Sequence, residues 1–268
     1  MKIALITGAT DGIGLETARQ LLRRGWHVLT HGRNEDKAGR IAAAAMREIE
    51  GAQATAVWAD LSDMRQVTEL SRQVAARAPS LDVLINNAAV YERHRRLTVD
   101  GLEATMAVNH FAPFLLTRRL LPQLGAAPAA RIITVSSIAH QSGSLDVNDL
   151  TLARHYDAYA AYAASKLANV LFTFELAKRL TGTHITANAL HPGVIGTKLL
   201  HAAFAIAGAS VEAGARTSVY LAASEKVAGV SGKYFDDCRE TRPSAPARDA
   251  ELAERLWAAS ERALARFL

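Results

Sequence analysis

The stretch IALITGATDGIG, residues 3–14, decides how the rest of the chain is read. Its first five residues, IALIT at 3–7, are apolar or β-branched and predict a short strand buried on both faces. Gly8, Gly12 and Gly14 follow at the spacing G-x-x-x-G-x-G, and an amphipathic run to about Arg24 predicts a helix. Glycines between a strand and a helix permit a tight turn, close backbone approach to a pyrophosphate, and tight packing of helix on strand. The helix opening near Gly12 offers unpaired N–H groups and the positive end of its dipole to those phosphates. Its placement directly after the first strand makes the motif a strong sign of dinucleotide binding. Thr10, Asp11 and Ile13, lying between the glycines, are candidate contacts with them.

Working outward, the same alternation repeats. Strands are expected at WHVLTH (26–31), ATAVWA (54–59), LDVLIN (81–86), RIITVS (131–136) and ITANAL (185–190), with GKYFD (232–236) as a last edge strand. Helices are expected near 35–50, 63–77, 101–121, 158–180 and 249–266. This pattern predicts an α/β fold over 1–268: one doubly wound parallel sheet, the Rossmann fold, with helices on both faces. Ligands of such sheets bind beyond the carboxyl ends of the strands, so residues with chemistry should follow strands directly.

Composition narrows the class. The 268 residues are 50% apolar and 21% charged with a net charge of +5, a globular profile with enough apolar content for a large core. The cluster Arg93, His94, Arg95, Arg96 has no aromatic platform beside it and reads as a solvated loop, so no nucleic-acid partner is expected. One cysteine, Cys238, excludes an internal disulfide framework and fits a reducing cytoplasm. MKIALITG is too short in apolar residues for a signal peptide, and LLHAAFAIAGA (199–209) falls short of a membrane span. A cytoplasmic location is therefore expected.

The end of the second strand bears on which dinucleotide binds. NAD sites carry an acid there for the adenosine ribose, whereas THGRN (30–34) has Gly32 at that place and Arg33 next. A glycine leaves room for a 2′-phosphate and an arginine can grip it, so NADP(H) is preferred over NAD(H). Asp60 and Leu61 follow the third strand, where a carboxylate can accept a hydrogen bond from adenine; the helix cap falls instead to Ser62 or Asp63. NNAA (86–89) follows the fourth strand; Asn86 and Asn87 are read as scaffold as much as cofactor contact, and Ala88 as a cofactor contact.

Residues 156–166 read YDAYAAYAASK. Tyr162 and Lys166, four apart, share a helix face one turn apart, whereas Tyr159 stands roughly 10 Å from the lysine along the axis. Only Tyr162 can keep its hydroxyl near the ammonium.

Taken together, TGATDGIG, NNAA, VNHFAPFLLT, ITVSSIAH, YAASKLANVLF, HPGVIGT and GVSGKYFDDC resemble the short-chain dehydrogenase/reductase family, specifically its retinol dehydrogenase-like branch, in order along nearly the whole chain. Ala89 departs from the glycine usual in NNAG. The resemblance implies four catalytic residues, Asn109, Ser137, Tyr162 and Lys166, and no metal. Tyr162 would exchange the substrate proton, its pKa (about 10 when unperturbed) lowered by Lys166 and the nicotinamide. Ser137, chosen over Ser136, would hold the substrate oxygen, and Lys166 the nicotinamide ribose. Asn109 would fix a water in a proton relay. Pro192, Gly193 and Thr197 of HPGVIGT would complete the cofactor site, with His191, His110 and His140 read as structural. The insertion before Tyr162, roughly QSGSLDVNDLTLARHYD, should be a surface excursion. Residues 197–211, with Phe204 among them, would form an apolar substrate lid. The expected activity is NADP(H)-dependent oxidoreduction of a lipophilic or aromatic alcohol or carbonyl. The alternatives are a non-catalytic NADP(H)-binding redox sensor or partner-binding protein, and an epimerase or dehydratase on the same scaffold. The resemblance further implies a homodimer or homotetramer built through the helices near 101–121 and 158–180.

Overall fold

A computed structural model describes residues 1–203 and 206–268, so Phe204 of the expected lid lies outside the described residues. The apolar runs form strands β1 (Ile3–Ile6), β2 (His27–Gly32), β3 (Gln53–Trp58), β4 (Val83–Asn86), β5 (Ala130–Val135), β6 (Ile185–His191) and β7 (Lys233–Asp236). A two-residue strand, β8 (Arg239–Glu240), adds an antiparallel edge beyond β7. All lie in one sheet ordered β3-β2-β1-β4-β5-β6-β7-β8, parallel up to β7. The order reverses between β1 and β4, which is where such a sheet opens a crevice for ligands.

Alternate residues of the strands feed two cores. Leu5, Leu84 and Ile132 pack under α3 (Met64–Arg77), α5 (Ala112–Gly125), α6 (Ala158–Arg179) and α9 (Ala250–Leu264). Ile6, Ile85 and Ile133 pack under α1 (Gly12–Leu22), α2 (Glu35–Glu48) and α8 (Val211–Ala223). Each fully buried side chain of this size contributes about 1.5–3 kcal/mol relative to exposure, so the strand faces dominate the fold's stability.

Some helices differ from the sequence expectation. Helix α8 was not anticipated. The helix expected near 101–121 begins as α4 (Ala104–Met106), widens into a π turn over Ala107–Phe111, and only then runs on as α5. The C-terminal helix α9 packs against α6. Trp257 of α9 sits 4.8 Å from the ring of Phe114 and 6.0 Å from Phe172. The subunit contact expected through α5 and α6 needs an outward apolar face. Among the described residues of those two helices, only Tyr159 is a large exposed hydrophobic. No helix among the described residues is long and apolar enough to cross a membrane.

Candidate active site

The carboxyl ends of the strands open into a cleft of about 790 Å³. Every predicted site residue lines it except Asn86 and Asn109.

At one end lies the glycine turn. Gly8 has φ +66°, and Gly14 packs so closely that a Cβ would fall 2.3 Å from the Gly8 carbonyl oxygen. No other residue fits at 14. The turn is tied to the next strand of the crevice: Asn87 Nδ2 donates to the Thr7 carbonyl at 2.8 Å, and the N–H groups of Asn87 and Ala88 both donate to Thr7 Oγ1. Asn87 thus braces the floor that it lines, while Asn86, donating to Thr117 Oγ1 at 3.1 Å, is scaffold alone. Asp11 caps α1 by accepting the Gly12 N–H at 2.9 Å, leaving the first-turn N–H groups of Ile13 and Gly14 without intrahelical acceptors. Asp11 also forms an ion pair with Lys198, which holds its carboxyl below the usual range against the opposing effect of burial.

Gly32 shows why no acid stands at the end of β2: a Cβ there would meet Thr10 Cγ2 at 2.7 Å and Ala38 Cβ at 3.2 Å. Arg33 lines the cleft beside it, joined by Lys37 in the first turn of α2, a second cation that the sequence reading missed. Asp60 accepts the Ser62 N–H at 2.9 Å, and the cap of α3 is Asp63.

At the other end, α6 carries Tyr162 and Lys166 inward as their spacing predicts, at 7% and 2% exposure. Lys166 Nζ donates to the Val135 carbonyl at 3.1 Å and lies 5.6 Å from the centre of the Tyr162 ring. Ser136 Oγ donates to the Lys166 backbone carbonyl at 2.7 Å, and it is Ser137 whose hydroxyl meets Tyr162. Burial raises the Tyr162 phenol to about 12, with the Ser137 hydrogen bond pulling the other way. Burial also lowers the Lys166 ammonium to about 7. The expected depression of the tyrosine is therefore not a property of the chain alone, because loss of hydration outweighs a neighbour that is itself inclined to shed its charge.

Asn109 stands behind the cleft, fully buried in the π turn. Its Oδ1 accepts the Val90 N–H at 2.8 Å, and its two amide hydrogens go to the Val90 carbonyl and Ser165 Oγ. Ser165 Oγ in turn donates to the Tyr162 carbonyl at 2.7 Å. Its side chain thereby clamps the 88–91 loop to the helix of Tyr162. Tyr91 on that loop sets its ring 5.7 Å from that of Tyr162. Tyr159 lines the mouth, whereas Tyr156 binds the Glu92 carbonyl at 2.7 Å and stays outside.

Pro192, Gly193 (φ +93°) and Thr197 form the wall after β6. Thr197 Oγ1 accepts the Leu200 N–H at 3.3 Å and so starts α7 (Lys198–Ala203). Within the expected lid, Leu199, Leu200 and Ile206 reach the cleft. Ala89 is unstrained: among the described residues the only non-glycines at positive φ are Leu152, Asp237 and Cys238.

A family model for the short chain dehydrogenases matches residues 2–208. The chain is 40% identical to human (Homo sapiens) retinol dehydrogenase 13, across 97% of this chain and 84% of that protein. Among solved structures, an uncharacterized protein from Mycobacterium paratuberculosis superposes with a TM-score of 0.83 at 34% identity, covering 98% and 93% of the two chains. A short chain dehydrogenase from Shigella flexneri complexed with NADP gives 0.71 at 26% identity, covering 89% and 97%.

Proposed function

We propose, from the premise that this chain belongs to the short chain dehydrogenase family and is a hydride-transferring oxidoreductase, that it uses NADP(H) on a lipophilic or aromatic alcohol or carbonyl. One observation carries the reading. A single cleft joins Gly32, Arg33 and Lys37 at one end to Ser137, Tyr162 and Lys166 at the other. The fit to a dinucleotide rests on the open first turn of α1, the closed-off acid position at Gly32, and the two cations beside it. The NADP complex of the Shigella flexneri relative agrees with this preference.

Bound nicotinamide would supply or accept the hydride, and the chain's own residues do the rest. Ser137 orients the substrate oxygen. Tyr162, held as a neutral phenol by burial, donates its proton to that oxygen during carbonyl reduction. In the reverse direction the phenol must ionise, which calls for positive charge beyond what Lys166 provides in the cofactor-free chain. Lys166 is placed to hold the nicotinamide ribose, and Asn109 positions Tyr162 through Ser165. Ile138, Val194 and Ile206, all exposed large apolar residues, line the cleft with Leu199 and Leu200 and suit a lipophilic substrate. The retinol dehydrogenase relative agrees with that class. The lone Cys238 leaves the reducing cytoplasm as the inferred location.

The test is a fluorescence titration with NADPH and NADH, followed by turnover on lipophilic aldehydes and alcohols. NADPH should bind at least about tenfold tighter than NADH, and the double variant Arg33→Ala/Lys37→Ala should erase most of that difference. A preference for NADH would refute the cofactor reading. Tight binding with no turnover across the panel would point to the sensor instead.

A further inference from the structure

Two buried histidines make the same contact at matched places in the sheet. His31, near the end of β2, accepts the Gly8 N–H on Nδ1 at 3.1 Å, while its Nε2 lies 3.1 Å from the Ala59 carbonyl. A carbonyl only accepts, so Nε2 carries the proton and Nδ1 is a bare lone pair. The His31 backbone carbonyl also takes the Ala9 N–H at 2.9 Å. On the other half of the sheet, His191 ends β6 and accepts the Ile138 N–H on Nδ1 at 3.1 Å. Ile138 is the residue after Ser137. From the opposite side, His140 Nδ1 donates to the Ser137 carbonyl at 2.7 Å and its Nε2 accepts the Ser244 N–H.

In each case a histidine at the carboxyl end of one strand grips the turn leaving the adjacent strand, β2 on β1 and β6 on β5. Each turn carries one half of the chemistry. Both rings are nearly inaccessible and line the cleft. Burial pushes both below the ordinary imidazole range, His31 to about 4, which keeps the accepting nitrogen free of a proton at neutral pH.

We propose that His31 and His191 are a matched pair of positioning residues, His31 setting the glycine turn for the cofactor diphosphate and His191 setting Ser137 for the substrate oxygen. The inference rests on the oxidoreductase reading above. A packing role alone would make the two histidines interchangeable in their effects. Positioning separates them, because each ring holds only one of the two turns.

The experiment compares His31 and His191, each changed to Leu, Asn and Gln, by NADPH Kd from fluorescence and by kcat at saturating NADPH, using an aldehyde that the unaltered chain reduces. Leucine fills volume but accepts nothing. Asparagine places Oδ1 where Nδ1 stood, whereas glutamine carries its oxygen one bond further out. His191→Leu should lower kcat by about 10- to 100-fold with NADPH Kd held within about twofold. His31→Leu should raise NADPH Kd about tenfold with kcat little changed. Each Asn variant should recover most of the loss, and each Gln variant should not. If a Leu variant fails to fold, the Asn-against-Gln contrast gives the same test. Leu variants that shift Kd and kcat alike, or Asn variants no better than Gln, would overturn the proposal while normal turnover by the unaltered chain left the enzyme reading intact. An unaltered chain that bound no NADPH would bring down both.

Discussion

Lys166 is held where a charge is unwelcome, at 2% exposure and donating to the Val135 backbone carbonyl. Burial lowers its folded-state pKa from 10.5 to about 7. Below pH 7 the ammonium is charged in both folded and unfolded chains, so the fold bears the whole cost of burying it. Between pH 7 and 10.5 the unfolded chain binds more protons than the folded one, and stability rises with pH. Above that range the cost is gone. Lys166→Met should therefore raise the Tm of the cofactor-free protein at pH 6, with the gain shrinking toward pH 10, while turnover is abolished. Thermal unfolding across that range checks it, and a lower Tm at pH 6 would show the lysine to be stabilising. A residue that costs stability and is retained where the chemistry is expected is what a working site requires.

At the scale of elements, the short helix α7 is tied at both ends. Lys198 pairs with Asp11 at the mouth of the glycine turn, and Arg93 donates to the Ala202 carbonyl at 3.2 and 2.8 Å, a cation at a helix C-terminus. The segment that carries it is stitched at its base by Gly196 N–H to the Ala209 carbonyl at 2.9 Å. The Lys198 and Asp11 side chains are 86% and 50% exposed, so their pair is worth less than about 1 kcal/mol to the fold. Its effect should fall on the ligand, because without Lys198 the Asp11 carboxylate faces a diphosphate uncompensated. Lys198→Ala is expected to raise the NADPH Kd about three- to tenfold with Tm unchanged, and adding Asp11→Ser should restore binding. Titration in low salt checks both. The strands and the glycine turn were legible in the sequence because their signals are local: an apolar run, a glycine spacing, a tyrosine one turn from a lysine. Lys37, the grip of His31 on Gly8 and the clamp of Asn109 on Val90 were not, since each depends on strand register or loop path. The π turn at Ala107–Phe111 and the small-residue helix α8 leave no clear period to read.

For the molecule as a whole, α9 closes the face that α5 and α6 would otherwise leave open. Arg118 pairs with Glu261, His110 Nε2 meets Ser260 Oγ at 2.8 Å, and the Arg179 guanidinium lies 4.3 Å from the Trp257 ring. Trp257→Ala should destabilise the fold by about 3–5 kcal/mol in urea unfolding, with NADPH affinity unchanged below the transition, since the tryptophan is remote from the cleft. A dimer or tetramer through α5 and α6 would have to form around this helix, and light scattering separates that assembly from a single chain of 28.8 kDa. In the function proposed above, one cleft binds NADP(H) and Tyr162 moves the substrate proton within it. The most direct measurement is NADPH consumption with a lipophilic aldehyde by the unaltered chain and by Tyr162→Phe, each with its NADPH Kd. Loss of at least about a hundredfold in turnover with Kd unchanged is the predicted result. Comparable turnover by Tyr162→Phe would contradict it.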